Sequence, residues 1–508
     1  MPSTRSTRRE STVSNALARD RLGAPGIGLS IASSIAPLTV VAGVVTTGLA
    51  VTGLTGVSIA MIAVAIVLMF FVVGYVAMAR HIPNAGAFYA YVAKGIGKPV
   101  GVGASWVALA AYNCFQLASY GGIGAIGAPL IKDWFGLDIQ WFVLAFITWV
   151  FVAFLGIRDV GVSEKVLAVL VIGETALVVI YSFAILFTSG FHFSSAPMSL
   201  HSLWGPGAGA LLVIAFTSFA GVEQGAVYIE ESKDPRRTVP RATYVTIVLI
   251  AILYAFASWV QISAAGDQAV ARAGKEGPDL FFDLASVSLG KISLDFGHAL
   301  FLTSLIAAMI AFHNIIARYT FALGREGVIP RFFGQTVNGA PRNASLLQSA
   351  LGLVVIFGYA LLGWDPLVKL FFWGGTSGGL GVLLLIALTS IAVIGYFARN
   401  PHDESPWHRF GAPIIACVLL LIITYLALTN LATLFGVEPG SGPAWVVPTA
   451  YLVIFIAGIV WGLILKSSQP RVYDGIGLGT RSAVASSTGF SALLGEDDTD
   501  TDTAEARR

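Results

Sequence analysis

Twelve apolar runs, each about 20 residues or longer, follow one another along this chain of 508 residues, and a run of that length has few structural options. A helix of about 20 residues crosses the hydrocarbon core with every backbone group satisfied internally, so the runs read as spanning helices and a strand barrel is excluded. Their approximate limits are 27–52, 57–79, 99–127, 138–157, 164–188, 208–231, 240–264, 297–323, 345–363, 367–397, 410–435 and 445–466. Composition agrees: 56% hydrophobic residues, 11% charged and a mean hydropathy of +0.80 describe an integral membrane protein. The expected fold class is an all-α integral membrane protein with twelve transmembrane helices.

An even number of crossings puts both termini on one side. With that side cytoplasmic, only Lys132, Arg272, Lys275, Lys291 and Lys369 of the 30 lysines and arginines remain outside, as the positive-inside rule requires. Three regions follow: a basic N-terminal tail over 1–26, a twelve-helix membrane domain over 27–466, and an acidic tail over 467–508 that is expected to be disordered. The N-terminus has no apolar core followed by a small-residue cleavage site, so no signal peptide is expected. The net charge of +2 gives no reason to expect a nucleic-acid partner. Cys114 and Cys417 lie within apolar runs and point to packing, not to a disulfide or a metal.

Two spans are interrupted. In the first, "SSIAPLTVVAG" places Pro37 where the i−4 carbonyl loses its amide partner, which frees backbone groups around Ser33 to Ala36. In the sixth, "SFAGVEQG" sets Glu223 between Gly221 and Gly225. The glycines alone could be a close-packing face, but an ionisable side chain near mid-membrane costs about 3 kcal/mol and belongs against a cavity, a partner or a proton path. Interruptions in the first and sixth spans fit two inverted repeats of five helices, with broken members exposing helix ends at a midplane site. The fifth span adds Glu174, flanked on both sides by apolar residues. Burial favours its neutral form and a bound cation its charged form, so it either couples proton and substrate or serves as a protonated hydrogen-bond donor.

Other polar residues carry less. His313 and Asn314 in the eighth span, and Asn113 and Gln116 in the third, are of the kind that bridges helices. Trp373 among the glycines of "FFWGGTSGG" is a gate or a packing face. The long outer loop, about 265–296, is polar enough to be solvated, with Phe281 and Phe282 able to lie on the bundle. No G-x-x-x-x-G-K-[ST] loop occurs, so any energy for transport would come from a gradient, of protons or sodium, or from a partner, and no cofactor is expected.

The stretch "SFAGVEQGAVYIEESKDPRRTVPRA" resembles the signature of the amino acid/polyamine/organocation transporter superfamily. "IPNAGAFYAYV", "ARYTFALGREGVIPRFF" and "ARNPHDESPWHRFGAP" resemble further family motifs, in order, along most of 27–466. The resemblance implies a five-plus-five inverted repeat with two extra helices, working by alternating access. It also implies a substrate site formed by Ala36, Pro37, Leu38 and Thr39 of the first span with Ser218, Phe219, Ala220, Gly221 and Val222 of the sixth, with Glu223 near the coupling path. The family's Gly-Ser-Gly type loop, whose amides receive a substrate carboxylate, is replaced here by Ala-Pro-Leu-Thr. Glu174 stands about where several members place a lysine that substitutes for a bound cation. The family's gating aromatic is replaced by Thr217, leaving Phe216 or Phe219 for that role.

The expectation is a plasma-membrane permease for amino acids or small amines, most simply a proton-coupled importer and not an enzyme, with both termini cytoplasmic. An exchanger of amines or of a precursor for its product is the nearest alternative, and a channel the nearest different class. Its partners are a small-molecule substrate and the lipid bilayer, and its oligomeric state is open.

Overall fold

The computed structural model describes residues 17, 21–158, 160–188, 194–337 and 339–479, and these are helical almost throughout, with two isolated β-bridges and no strand among them. Eleven helices among the described residues are long and apolar enough to cross a membrane. The remaining run expected to span, Trp141–Gly156, is an apolar helix of 16 residues, below that length.

The first span is α1 (Ala24–Ile35) followed by a π-helical stretch, Thr39–Val44, and α2 (Val45–Thr52). α3 (Val57–His81) is the second span, and a short α4 (Ala87–Gly95) precedes α5 (Lys98–Phe135). Then come α6 (Trp141–Gly156), α7 (Val160–Thr188) and α8 (Ala208–Thr217), the first half of the sixth span. α9 (Pro235–Ala265) is the seventh span and α12 (Lys291–Glu326) the eighth. α13 (Arg342–Leu361), α14 (Trp373–Arg399), α15 (Ala412–Thr429) and α17 (Gly442–Ser468) complete the set, with a five-residue α16 (Leu431–Phe435) before the last.

Without water between them, helices here associate by close packing, and glycine sets the distance of approach. A β-carbon on Gly458 of α17 would come within 2.7 Å of the Gly103 Cα of α5, so the two backbones meet where neither has a side chain. α12 sits centrally, against α1, α5 and α7. α3 packs along α9 and α1 against α9, which places the broken first span inside the bundle.

Two expectations change. The outer loop folds into α10 (Ala269–Glu276) and α11 (Asp279–Leu289). Phe281 and Phe282 are completely buried beneath α11, against Tyr181 of α7, because an apolar face of a short helix needs cover more than the loop needs solvent. The region expected to be disordered from 467 is ordered as far as Gly479. It forms α18 (Pro470–Gly475), and then Ile476, fully buried, leads to Gly477 and Gly479, whose amides both donate to the Glu326 carboxylate at 2.6 and 2.8 Å. Positive φ angles of 76° and 60° at those glycines turn two nearby amides toward one anion. The acidic stretch beyond Gly479 lies outside the described residues. At the other terminus, Leu22 of the expected basic tail is buried and bridges to Ser232.

Candidate functional site

The first break is a single residue. Ala36 takes the left-handed conformation (φ 50°, ψ 73°), which ends α1, and Pro37 begins the next helical half. Proline suits the first position of a helix, where its missing N–H would lack a partner anyway. Pro37 therefore starts a helix instead of kinking one. The first intrahelical bond of this half runs from Val40 N–H to the Ala36 carbonyl at 3.1 Å, so the N–H groups of Leu38 and Thr39 point out of the helix end. Leu38 N–H donates to Glu174 Oε2 of α7 at 3.3 Å, and Thr39 N–H to Ser304 Oγ of α12 at 3.4 Å. Glu174 is thus a carboxylate on the positive end of a helix, where an anion is most stable. The hydroxyls of Thr39 and Ser304 lie 2.9 Å apart, and Tyr254 of α9 reaches the Ile35 carbonyl at 3.4 Å.

The second break is longer. α8 stops at Thr217, Ser218 still bonds back to Ile214, and Phe219 and Ala220 turn through 3₁₀-type bonds to Phe216 and Thr217. Gly221 has φ 116°, which no residue with a side chain adopts easily, and a 3₁₀ helix, Val222–Ala226, follows. The chain never returns to an α-helix before α9, so the expected sixth span is α-helical only in its first half and 3₁₀-helical beyond it. The breaks touch each other. A β-carbon on Gly221 would lie 2.8 Å from Ser34 Cβ, and Ser34 donates to Gln224 Oε1.

Glu223 is buried in this turn with both carboxylate oxygens occupied, Oε1 by Tyr112 of α5 at 2.8 Å and Oε2 by the Gly221 N–H at 3.0 Å. Tyr75 of α3 donates to its carbonyl at 2.9 Å. It therefore braces the 3₁₀ turn while linking the sixth span to α5. Glu174 and Glu223 hold different elements and share no partner. Of the predicted segments, Ala36 and Ser218 to Val222 are buried around the contact between breaks, and Thr39 and Thr217 beside it are half-buried. Phe219 packs edge-on against Tyr254 at 5.5 Å, and Phe216 is buried as well.

Below the breaks, toward the end bearing both termini, the bundle is tied shut. Arg318 of α12 bonds Glu231 through two contacts of 2.6 and 3.0 Å, and Arg325 bonds Glu230 through two of 2.7 Å. The Arg318 guanidinium also lies 4.7 Å from the centre of the Tyr228 ring. Glu230 accepts from the Ala85 N–H at 3.0 Å, and the backbone of Arg21 and Leu22 donates to the Glu231 carbonyl, each at 3.0 Å. Seven positions separate Arg318 from Arg325, two turns of one helical face, and that spacing opposite the adjacent glutamates was a readable signal.

His313 belongs to a different group. It bridges Gln116 at 3.2 Å and Ser345 at 2.8 Å, while Gln348 donates to Asn113 and Gln116, each at 2.7 Å. These satisfied side chains join α5, α12 and α13. Trp373 donates to the Phe435 carbonyl at 3.1 Å and packs against α16. No grouping of three or more histidine, cysteine or acidic side chains suited to a metal occurs among the described residues.

Residues 27–462 match the family model for amino acid permeases. A low-affinity putrescine importer of Escherichia coli (strain K12) is 25% identical over 285 residues, 53% of this chain and 59% of that protein. A histidine permease of Lactococcus lactis subsp. cremoris (strain MG1363) is 27% identical over 50% of this chain and 54% of its own. An uncharacterized amino acid permease of Bacillus subtilis (strain 168) is 22% identical over 83% of this chain and 87% of its own. The chain thus spans little more than half the length of the first two of these relatives.

Proposed function

Because the chain belongs to the amino acid permease family, we propose that it is a secondary active transporter that carries amino acids or small amines by alternating access. The observation that carries this reading is the direct contact between two broken spans, above an end closed by buried ion pairs. Broken helices place polar backbone at mid-membrane, where a ligand can replace water without exposing the backbone to lipid. Charged pairs at one end provide what a carrier needs and an open pore lacks, a barrier that can be dismantled on one side only.

In this reading the termini end faces the cytoplasm of a cell whose plasma membrane holds the protein, as the lysine and arginine bias requires. Substrate enters from the opposite face to the contact between the breaks. Separation of Glu230 and Glu231 from Arg325 and Arg318 then releases it inward. Glu223 ties the moving turn of the sixth span to Tyr112 on α5, so a proton on its carboxyl would alter the bond that joins them. Proton-coupled import follows most simply. The relatives named for putrescine and for histidine bracket the ligand class.

Reconstituted vesicles provide the test. A carrier gives uptake that saturates with substrate and counterflow when unlabelled substrate is loaded inside. Flux that rises linearly with concentration and shows no counterflow would overturn the proposal in favour of a channel.

A further inference from the structure

The Glu174 carboxylate caps the helix end that begins at Pro37. The second half of the first span runs from Pro37 to Thr52, and its outward N–H groups are an anion site by geometry. One is filled by Glu174 Oε2 and the next by Ser304 Oγ, both from neighbouring helices. Glu174 is completely buried, and its second oxygen, Oε1, has no partner of hydrogen-bonding geometry. A buried carboxylate with one oxygen unused calls for a donor, best a cationic one. Beside it lie the hydroxyls of Thr39 and Ser304, 2.9 Å apart, each able to accept.

We infer that Glu174 is the specificity-determining residue of this transporter, and that it selects small organic ammonium ions lacking a carboxylate while refusing α-amino acids. The inference rests on the transport reading above and narrows it. A ligand ammonium donates to Glu174 Oε1 and to the acceptors beside it. A ligand carboxylate finds the helix end taken and a second carboxylate facing it, and like charges in a buried site repel strongly.

The experiment compares each amine with the amino acid that differs from it only by the carboxylate. The pairs are cadaverine and lysine, histamine and histidine, and isobutylamine and valine. Binding is followed by thermal shift of the purified full-length protein, and uptake is measured in proteoliposomes. Wild-type protein should bind at least one amine about tenfold or more tighter than its amino acid. Glu174→Ala, which vacates the helix end, should lose amine binding by about tenfold or more and gain the amino acid. Should that variant fail to fold, Glu174→Gln keeps the cap without its charge and should weaken the amine by a similar factor with no gain for the amino acid. If the wild type takes up amino acids as well as amines, or either variant leaves the amine-to-amino-acid ratio unchanged, transport stands and the inference falls. If no member of either series is bound or taken up, the transport reading fails and the inference goes with it.

Discussion

Arg318 and Glu231, 87 positions apart, are joined by two short bonds while both side chains remain almost wholly inside the protein. Such a pair is sensitive to the loss of one member, because the other is left as an uncompensated buried charge at a cost of about 3–5 kcal/mol. Arg318→Met should therefore lower the melting temperature of the detergent-solubilised protein markedly. Adding Glu231→Leu should recover most of the loss, since two apolar side chains replace two charges. A single variant as stable as the parent would mean that the pair does not hold this end closed.

Glutamine at position 223 has one accepting oxygen where glutamate has two, so it can accept from Tyr112 or from Gly221 through its oxygen, more weakly, but its other terminal atom is a donor. Glu223→Gln should abolish accumulation driven by an imposed pH gradient while leaving membrane insertion and unlabelled-for-labelled exchange intact. Tyr112→Phe, which removes a donor from a buried carboxylate, should cost about 1–3 kcal/mol in stability. Accumulation equal to wild type in the Gln variant would leave Glu223 as a brace for the turn alone.

Gly221 carries two constraints at once, a φ of 116° and a neighbour that would sit 2.8 Å from an added β-carbon. Gly221→Ala should cost about 1–3 kcal/mol in backbone strain and more in separating the breaks, with transport falling by about tenfold or more. Gly173→Ala in α7 is the matched control, because nothing lies within 4 Å of its added carbon. It should leave uptake and melting unchanged; equal damage from both substitutions would show that Gly221 has no special role.

The two helix breaks were legible because their causes are local. Pro37 must interrupt an i−4 bond wherever it falls within an apolar run, and Glu223 between glycines cannot lie quietly against lipid. What Pro37 does was not legible, since starting a helix and kinking one differ only in the conformation of Ala36. The partners of Glu174 and Glu223 were hidden for a different reason. Leu38 lies 136 positions from Glu174, and Tyr112 lies 111 from Glu223, and nothing in hydropathy records which helices become neighbours. Glu230 and Glu231 lie in the stretch that resembles the family signature, but their function as half of a closing contact depends on two arginines in another span. The outer loop and the first dozen residues of the C-terminal segment misled because polar composition averages over short stretches, whereas burial of Phe281 or Ile476 is decided by single side chains.

The Glu326 carboxylate receives two of its donors from Asn84 and Tyr89, more than two hundred positions upstream, and two from glycines about 150 positions downstream. During synthesis α12 must enter the membrane with its last residue half satisfied, beside Arg325, and wait for α13, α14, α15 and α17 to be made. The full set of donors to Glu326 therefore exists only after every span has been made. A ribosome that stops a few codons short of Gly477 would release a chain with every span in place and Glu326 short of two of its four donors.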